Sequence, residues 1–380
     1  MSASGGEPEA AGPIGGGPPA VVEEVSARAL TIPTDAPEAD GTLSWEATTI
    51  VIVQARSEGR AGTGFSYAAG AAAEVVNGML AGAVRGRDAL SPGGAWRRTR
   101  AAVRNIGYPG VAACAVSALD VALWDLKARL LGVSLSTLLG RVRDAVRAYG
   151  SGGFTSYDDA RLREQLGGWA AEGLTAVKMK VGSEPERDPA RVRVAREAVG
   201  AGVELFVDAN GAYDRKQALA LAERFGAEAG VSWFEEPVSS DDLEGLRLLR
   251  DRAPAGMQVA AGEYGYELHY FRRMLDAGAV DVLQADVTRC GGITAMLGVA
   301  ALCQSRSLEL SAHTSPTIHA HVGCALEPLV HVEYFHDHAR IEQMLFEGAP
   351  LPAAGELRPD PRRPGLGLEL REQVAERYAA

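Results

Sequence analysis

The chain has 380 residues, more than one ordinary domain needs, and a hydrophobic fraction of 47%, enough to bury a sizeable core. Its 49 acidic residues outnumber its 38 basic ones, and the net charge of −11 argues against nucleic acid or an anionic membrane surface as a partner. The four cysteines, Cys114, Cys290, Cys303 and Cys324, are scattered without CxxC spacing, which suits a reducing cytoplasm.

Residues 1–20 are half Gly and Pro and lack the basic start and apolar run of a signal peptide, so a disordered tail is expected there. No apolar stretch reaches membrane-spanning length. Alternation of β-branched residues predicts antiparallel strands at residues 21–30 and 48–55. Between them, residues 31–45 are rich in Pro, Asp and Gly and too polar for a core, which predicts a long loop. A second irregular piece is expected from Gly62 to Tyr67. From residue 69 to 139 the apolar period turns helical, with small residues that let helices approach closely and Trp124 in the core. Asp120 and Asp125 in this stretch read as structural.

After Val146, short apolar runs alternate with Ala- and Arg-rich helical stretches at residues 158–172, 189–201, 215–229, 241–252 and 268–277. Pro189, directly after Asp188, marks a helix start. Four runs end in an ionisable residue, Lys180, Asp208, Glu235 and Glu263, at intervals of 28, 27 and 28 residues. That is one strand, one helix and two loops, a βα unit. Further runs lead into Asp286, His313 and Glu333. In a closed parallel barrel the C-terminal strand ends surround one mouth, so Asp208, Glu235 and Glu263 are expected to converge. One strand-end acid serves equally well to cap the next helix; three at matched period argue against that. Three neighbouring carboxylates repel unless neutralised, and an all-oxygen set with no nearby Cys or His points to Mg²⁺, or Mn²⁺ in its place. Lys178 and Lys180 are both expected to lean over their strand end. Asp286 and His313, 27 residues apart, predict neighbouring strands, with the aspartate fixing the tautomer of the imidazole and raising its basicity.

Lys178-Met179-Lys180, Asp208-Ala209-Asn210, Trp233-Phe234-Glu235-Glu236-Pro237 and Gly262-Glu263 together resemble the enolase superfamily. The downstream Asp286, His313 and Glu333 resemble its mandelate racemase group, and the likeness runs over roughly residues 22–380. The resemblance implies an α/β fold: a modified TIM barrel of (β/α)7β type at residues 146–345, an α+β capping domain at 21–145, and a tail at 346–380 packed on the cap. It implies that residues 31–45 and 63–67 fold over the barrel mouth and select a small carboxylate substrate. Thr34, Trp45, Ser66, Tyr67 and Asn210 are the expected substrate contacts, and identical chains are expected to associate. Asp286 and His313 match the group's Asp-His dyad, which replaces a lysine of the muconate-lactonising branch. Glu333 matches an acid that hydrogen-bonds the substrate carboxylate.

The implied chemistry begins with removal of the proton next to a carboxylate, with Mg²⁺ stabilising the resulting enediolate and Lys178 and Glu333 donating hydrogen bonds. Enolase-superfamily sites with a Lys or His base and Mg²⁺ are themselves a standard example of this principle. Lys180 and His313 are expected on opposite faces of that intermediate, and Lys180, next to Lys178 and the metal, is expected to have a depressed pKa. Return of a proton to carbon makes a racemase or epimerase; protonation of a β-hydroxyl makes a dehydratase. The polar stretch at residues 34–42 suits a polyhydroxylated substrate, so an acid-sugar dehydratase is expected, with the racemase as alternative. A barrel that binds metal and anions without turnover would lack Lys180, Asp286 or His313, and a metal-dependent hydrolase would carry histidines at its early strand ends. His319, His321, His331, His336 and His338 read as packing or supporting residues. Tyr264 departs from the asparagine many relatives carry, so a polar contact near the metal is either lost or supplied by the phenol.

Overall fold

The structure, a computed structural model, describes residues 20–379, so the expected tail lies outside them except for Ala20. Three strands open the chain as an antiparallel sheet: β1 (Glu24–Ala39), β2 (Ser44–Ser57) and β3 (Arg60–Tyr67). Eight parallel strands follow: β4 (Val146–Gly152), β5 (Ala176–Lys180), β6 (Glu204–Asp208), β7 (Val231–Glu235), β8 (Gln258–Ala261), β9 (Val282–Ala285), β10 (Glu309–Ala312) and β11 (Leu329–Phe335). Pairing of β11 with β4, Val332 opposite Ala148, closes them into a barrel. A helix joins each strand to the next, and the strands are buried on both faces, which explains their near-continuous apolar sequences.

Two expectations for the cap are corrected. Residues 31–45 are not a long loop: β1 runs to Ala39, β2 starts at Ser44, and only residues 40–43 turn. The Asp40 carboxylate closes this turn by accepting from the backbone N–H groups of Thr42 and Leu43 at 2.6 and 2.7 Å. A register shift between Pro33 and Glu38 breaks the pairing partway, and the outer part of this ribbon lacks the apolar alternation by which strands are recognised. Residues 62–67 are likewise not irregular but lie in β3. Gly62 and Gly64 sit in that strand because a Cβ at either position would collide with the backbone of the helix Val111–Leu130, at Ala122 O and Ala118 O. The same helix carries Asp120, which accepts from Thr294 N at 2.9 Å, and Asp125, which accepts from Thr63 N at 2.7 Å. Both aspartates tie the cap to its surroundings.

Side chains two apart on a strand share a face, and this sets the layers inside the barrel. Tyr149, Ala176, Phe206 and Trp233 form a buried lower layer. One step further along the same strands come Lys178, Asp208 and Glu235, and on β11 Glu333 follows His331. Lys178 Nζ stands 5.3 Å above the Tyr149 ring, so an aromatic floor supports the charged layer. After β11 the helix His336–Leu345 leads out of the barrel and the tail returns to the cap: Leu366 N donates to Asp125, and Leu135 N donates to Gly365 O at 2.7 Å.

Candidate active site

The strand ends deliver the expected acids to one place. A carboxylate oxygen from each of Asp208, Glu235 and Glu263 lies within 4.8 Å of the others, and all three residues are buried. Lys178 Nζ donates to Glu235 Oε1 at 2.6 Å and pairs with Glu333 Oε1 at 2.8 Å; Lys180 Nζ pairs with Asp208. On the other flank, His313 Nδ1 lies 3.0 Å from Asp286 Oδ2, and its Nε2 lies 3.2 Å from Glu263 Oε2 and 3.8 Å from Glu333 Oε2. Lys180 therefore adjoins one end of the acid trio and His313 the other.

The turn after β10 is built for this contact. Thr314 and Ser315 both take left-handed backbone conformations, with φ of 51° and 42°. That conformation accompanies a hydrogen bond from Thr314 N to Glu333 Oε2 at 3.0 Å. Val287 N donates to His319 Nε2, and His319 Nδ1 lies 2.7 Å from Thr314 O, so His319 supports the loops on either side of the dyad.

A cavity of about 480 Å³ opens above these groups. Trp45, Tyr67, Lys180, Asn210, Glu263 and His313 line it. Two expected contacts are elsewhere. Ser66 is buried and its hydroxyl donates to Thr288 O at 2.7 Å, because alternate β3 residues face opposite ways and Tyr67 takes the outward place. Thr34 lies on β1 beyond the cavity wall. Spacing gave no sign of Arg289, whose Nη1 is 3.4 Å from Glu263 Oε1 and whose guanidinium lies over the Tyr264 ring. A cation three residues beyond Asp286 on the same loop was the only available signal. His338, stacked on Tyr67, also lines the cavity.

Burial and charge pull these groups apart. Burial, reinforced by Asp208, pushes Glu235 up to about 8, and burial with Glu263 pushes Glu236 well above the carboxylate range. Burial would also raise Glu263, yet His313 and Arg289 hold it well below. Glu333 is held down to about 2: burial opposes this, but Lys178 and His313 outweigh it. It is thus an acceptor here, not the hydrogen-bond donor expected. Burial would lower His313, but Glu263 and Glu333 raise it to about 9. Lys180 departs from its expected depressed value. Burial does lower it, but the Asp208 carboxylate outweighs both burial and Lys178 and leaves it raised.

The trio fits a hard divalent cation. Its donors are all oxygen, two of them on adjacent strands and one just past the next, and Asn210 Oδ1, on the wall of the same cavity, is buried without a hydrogen-bond partner.

A closed parallel barrel with three acids at consecutive strand ends, flanked by lysines and an Asp-His pair, defines a metal-dependent enzyme of the class that moves a proton next to a carboxylate. Residues 161–374 match the family described as enolase C-terminal domain-like, and residues 25–140 match the mandelate racemase/muconate lactonizing enzyme N-terminal domain. The chain belongs to the mandelate racemase/muconate lactonizing enzyme family of the enolase superfamily. It is 33% identical over 305 residues to the D-galactarolactone cycloisomerase of Agrobacterium fabrum, covering 75% of this chain and 79% of that one. A crystal structure of a mandelate racemase/muconate lactonizing enzyme-like protein from Rubrobacter xylanophilus is 58% identical, with a TM-score of 0.93, and the match covers 95% of this chain and all of that one. The L-talarate/galactarate dehydratase of Salmonella typhimurium LT2, liganded with Mg and L-lyxarohydroxamate, is 27% identical with a TM-score of 0.88, over 100% of this chain and 98% of that one.

Proposed function

We propose that this chain is an acid-sugar dehydratase that uses Mg²⁺, with Mn²⁺ as a working substitute. The observation that carries the reading is the placement of two proton-transfer groups, Lys180 and His313, at opposite ends of one acid trio under one cavity. A divalent cation held by Asp208, Glu235 and Glu263 supplies a positive centre that offsets the second negative charge left when the α-proton departs.

The chain's own groups do the rest. Burial and the neighbouring Lys178 both favour the free amine of Lys180 that accepts the α-proton; Asp208 opposes them, and a cation held by that carboxylate would take the opposition away. Lys178, held in place by Glu235 and Glu333, donates toward the carboxylate oxygen on which charge develops. The Cα–H electron pair forms the enediolate, its collapse breaks the Cβ–O bond, and His313, kept protonated by Glu333 and Asp286, which are not among the three acids, gives its proton to the leaving hydroxyl. Water leaves, and the enol becomes a 2-keto-3-deoxy acid. Asp286 holds the imidazole through Nδ1, leaving Nε2 for the substrate. The hairpin of β1 and β2 brings Asp40 and Trp45 to the cavity wall, polar company for a hydroxylated chain.

The opposed bases also suit a racemase or epimerase, in which His313 returns a proton to carbon. A screen of mono- and di-acid sugars, read as 2-keto-3-deoxy product, tests the dehydratase reading. Turnover of an acid sugar supports it. If none reacts but a 2-hydroxy acid exchanges its α-proton with solvent, the racemase reading replaces it. A cytoplasmic setting is supported by four cysteines that are all buried and unpaired. An assembly of identical chains, implied by the family resemblance, is checked by mass in solution.

A further inference from the structure

Away from the barrel mouth, a second cluster of acids and imidazole has the spacing of a cation site. Asp35 and Glu38, on the outer part of β1, meet His336 at the start of the helix that follows β11, and one ligand atom from each lies within 4.8 Å of the others. His336 Nε2 is 3.0 Å from Asp35 Oδ2. Two donors at the tetrahedral angle around one ion, each about 2.1 Å from it, are about 3.4 Å apart, so a shift of a few tenths of an ångström would seat an ion between them.

The surrounding groups leave this place unsatisfied. Glu38 is fully buried; its Oε2 accepts from Trp45 Nε1 at 2.9 Å, and its Oε1 has no hydrogen-bond partner. Asp337 is also fully buried, with Oδ2 unpartnered, and the nearby Tyr157 hydroxyl has no partner either. Two guanidiniums approach the cluster. Arg161 lies 3.6 Å from Asp35 but is shared with Glu164, and Arg340 pairs with Asp337 and donates to Pro33 O. Three carboxylates therefore face two shared cations. Burial, then Asp337, pushes Glu38 up to about 8, the response of an acid short of counter-charge. Near neutrality a proton takes up this charge, but on Oε1 it finds no hydrogen-bond acceptor, so a cation that displaces it would satisfy an atom the proton leaves unpartnered.

We propose that Asp35, Glu38 and His336 bind a divalent cation of the Zn²⁺ or Mn²⁺ class, which fastens the β1–β2 hairpin to the end of β11. The imidazole separates this site from the all-oxygen trio, since nitrogen ligands favour first-row transition metals over Mg²⁺. Its consequence reaches the substrate. Trp45, bonded to Glu38, and Phe335, next to His336, both line the mouth cavity, so an ion here holds two of its walls at fixed separation.

The test counts Zn²⁺ bound to the full chain by calorimetric titration with excess Mg²⁺ present. Because Zn²⁺ also competes for the trio, the background is Glu235→Gln, which weakens that site. One equivalent of Zn²⁺ is expected to remain in Glu235→Gln, and adding Glu38→Gln or His336→Gln should weaken its binding at least tenfold. Glu38→Gln keeps an acceptor for Trp45, so the hairpin stands, and an unchanged metal-free melting temperature confirms it. Co²⁺ in place of Zn²⁺ should give a visible band that His336→Gln abolishes. The proposal is overturned if Glu235→Gln binds no Zn²⁺ under these conditions, or if both added substitutions leave binding unchanged.

Discussion

Lys180 and His313 differ in what holds them, and that difference is measurable. Lys180 is paired to Asp208, and His313 to Asp286 and Glu263. Each should exchange the α-proton of the substrate configuration that faces it without help from the other. His313→Asn is expected to lose net product yet still wash solvent deuterium into a substrate whose α-proton faces Lys180, and Lys180→Met should show the reverse preference. Turnover should fall by roughly 10² to 10⁴ in each, the usual worth of a positioned acid or base. Loss of both exchanges in His313→Asn would make Lys180 an electrostatic partner only. The strand-end residues were legible because buried strands and their helices repeat at a near-constant length, so Asp208, Glu235 and Glu263 advertise themselves by period. Arg289 did not, because it lies on a loop where no periodicity applies, and its role depends on Glu263 arriving from another strand. The charge state of Glu333 was misread for the same reason, since it is set by Lys178 on a different strand; the raised Lys180 likewise reflects Asp208 on a neighbouring strand, whereas the expectation was for the site with its metal.

Among the elements, β3 shows how a packing constraint can hide a strand. Its glycines read as irregular chain, but they are what allows the helix Val111–Leu130 to lie against it backbone to backbone. Gly64→Ala would force the two apart and should cost about 1 to 3 kcal/mol, seen as a lower urea midpoint with an unchanged slope. A midpoint equal to wild type would show that the helix yields freely. The hairpin of β1 and β2 was hidden differently, since a ribbon with polar residues on both faces carries no hydrophobic signature. Trp45 holds it through Glu38 and through an edge contact with Phe154, ring centroids 5.7 Å apart. Trp45→Ala should therefore raise KM more than it lowers kcat, as loosening of a substrate-covering element does.

For the molecule as a whole, the acid trio is a site of stored repulsion that a bound cation relieves. Mg²⁺ at 100 times its dissociation constant is worth about 2.7 kcal/mol of stability. A thermal scan should show the melting temperature rise with Mg²⁺ and fall with chelator, and Glu235→Gln should abolish the rise. An unchanged melting temperature in the wild type would remove Asp208, Glu235 and Glu263 as the site. Domain organisation was the easier inference at this scale, since the change from polar β alternation to helical period and then to βα repeats is written along the chain. The return of the tail to the cap was expected only from the family resemblance, because Leu366 meets Asp125 across 241 residues of sequence and no local pattern records it.

The same closure has a bearing on how the protein is made. On the ribosome, β4 emerges long before β11, the strand that completes its parallel pairing at Ala148 and Val332. Until β11 is made, that flank of β4 is an open strand edge, the kind that templates association between chains. The cap waits longer still, since Asp125 and Leu135 are not fully bonded until residues 365 and 366 have left the exit tunnel. A nascent chain stalled before residue 329 should therefore be the species that chaperones hold, and emergence of β11 the event that commits it to the native state.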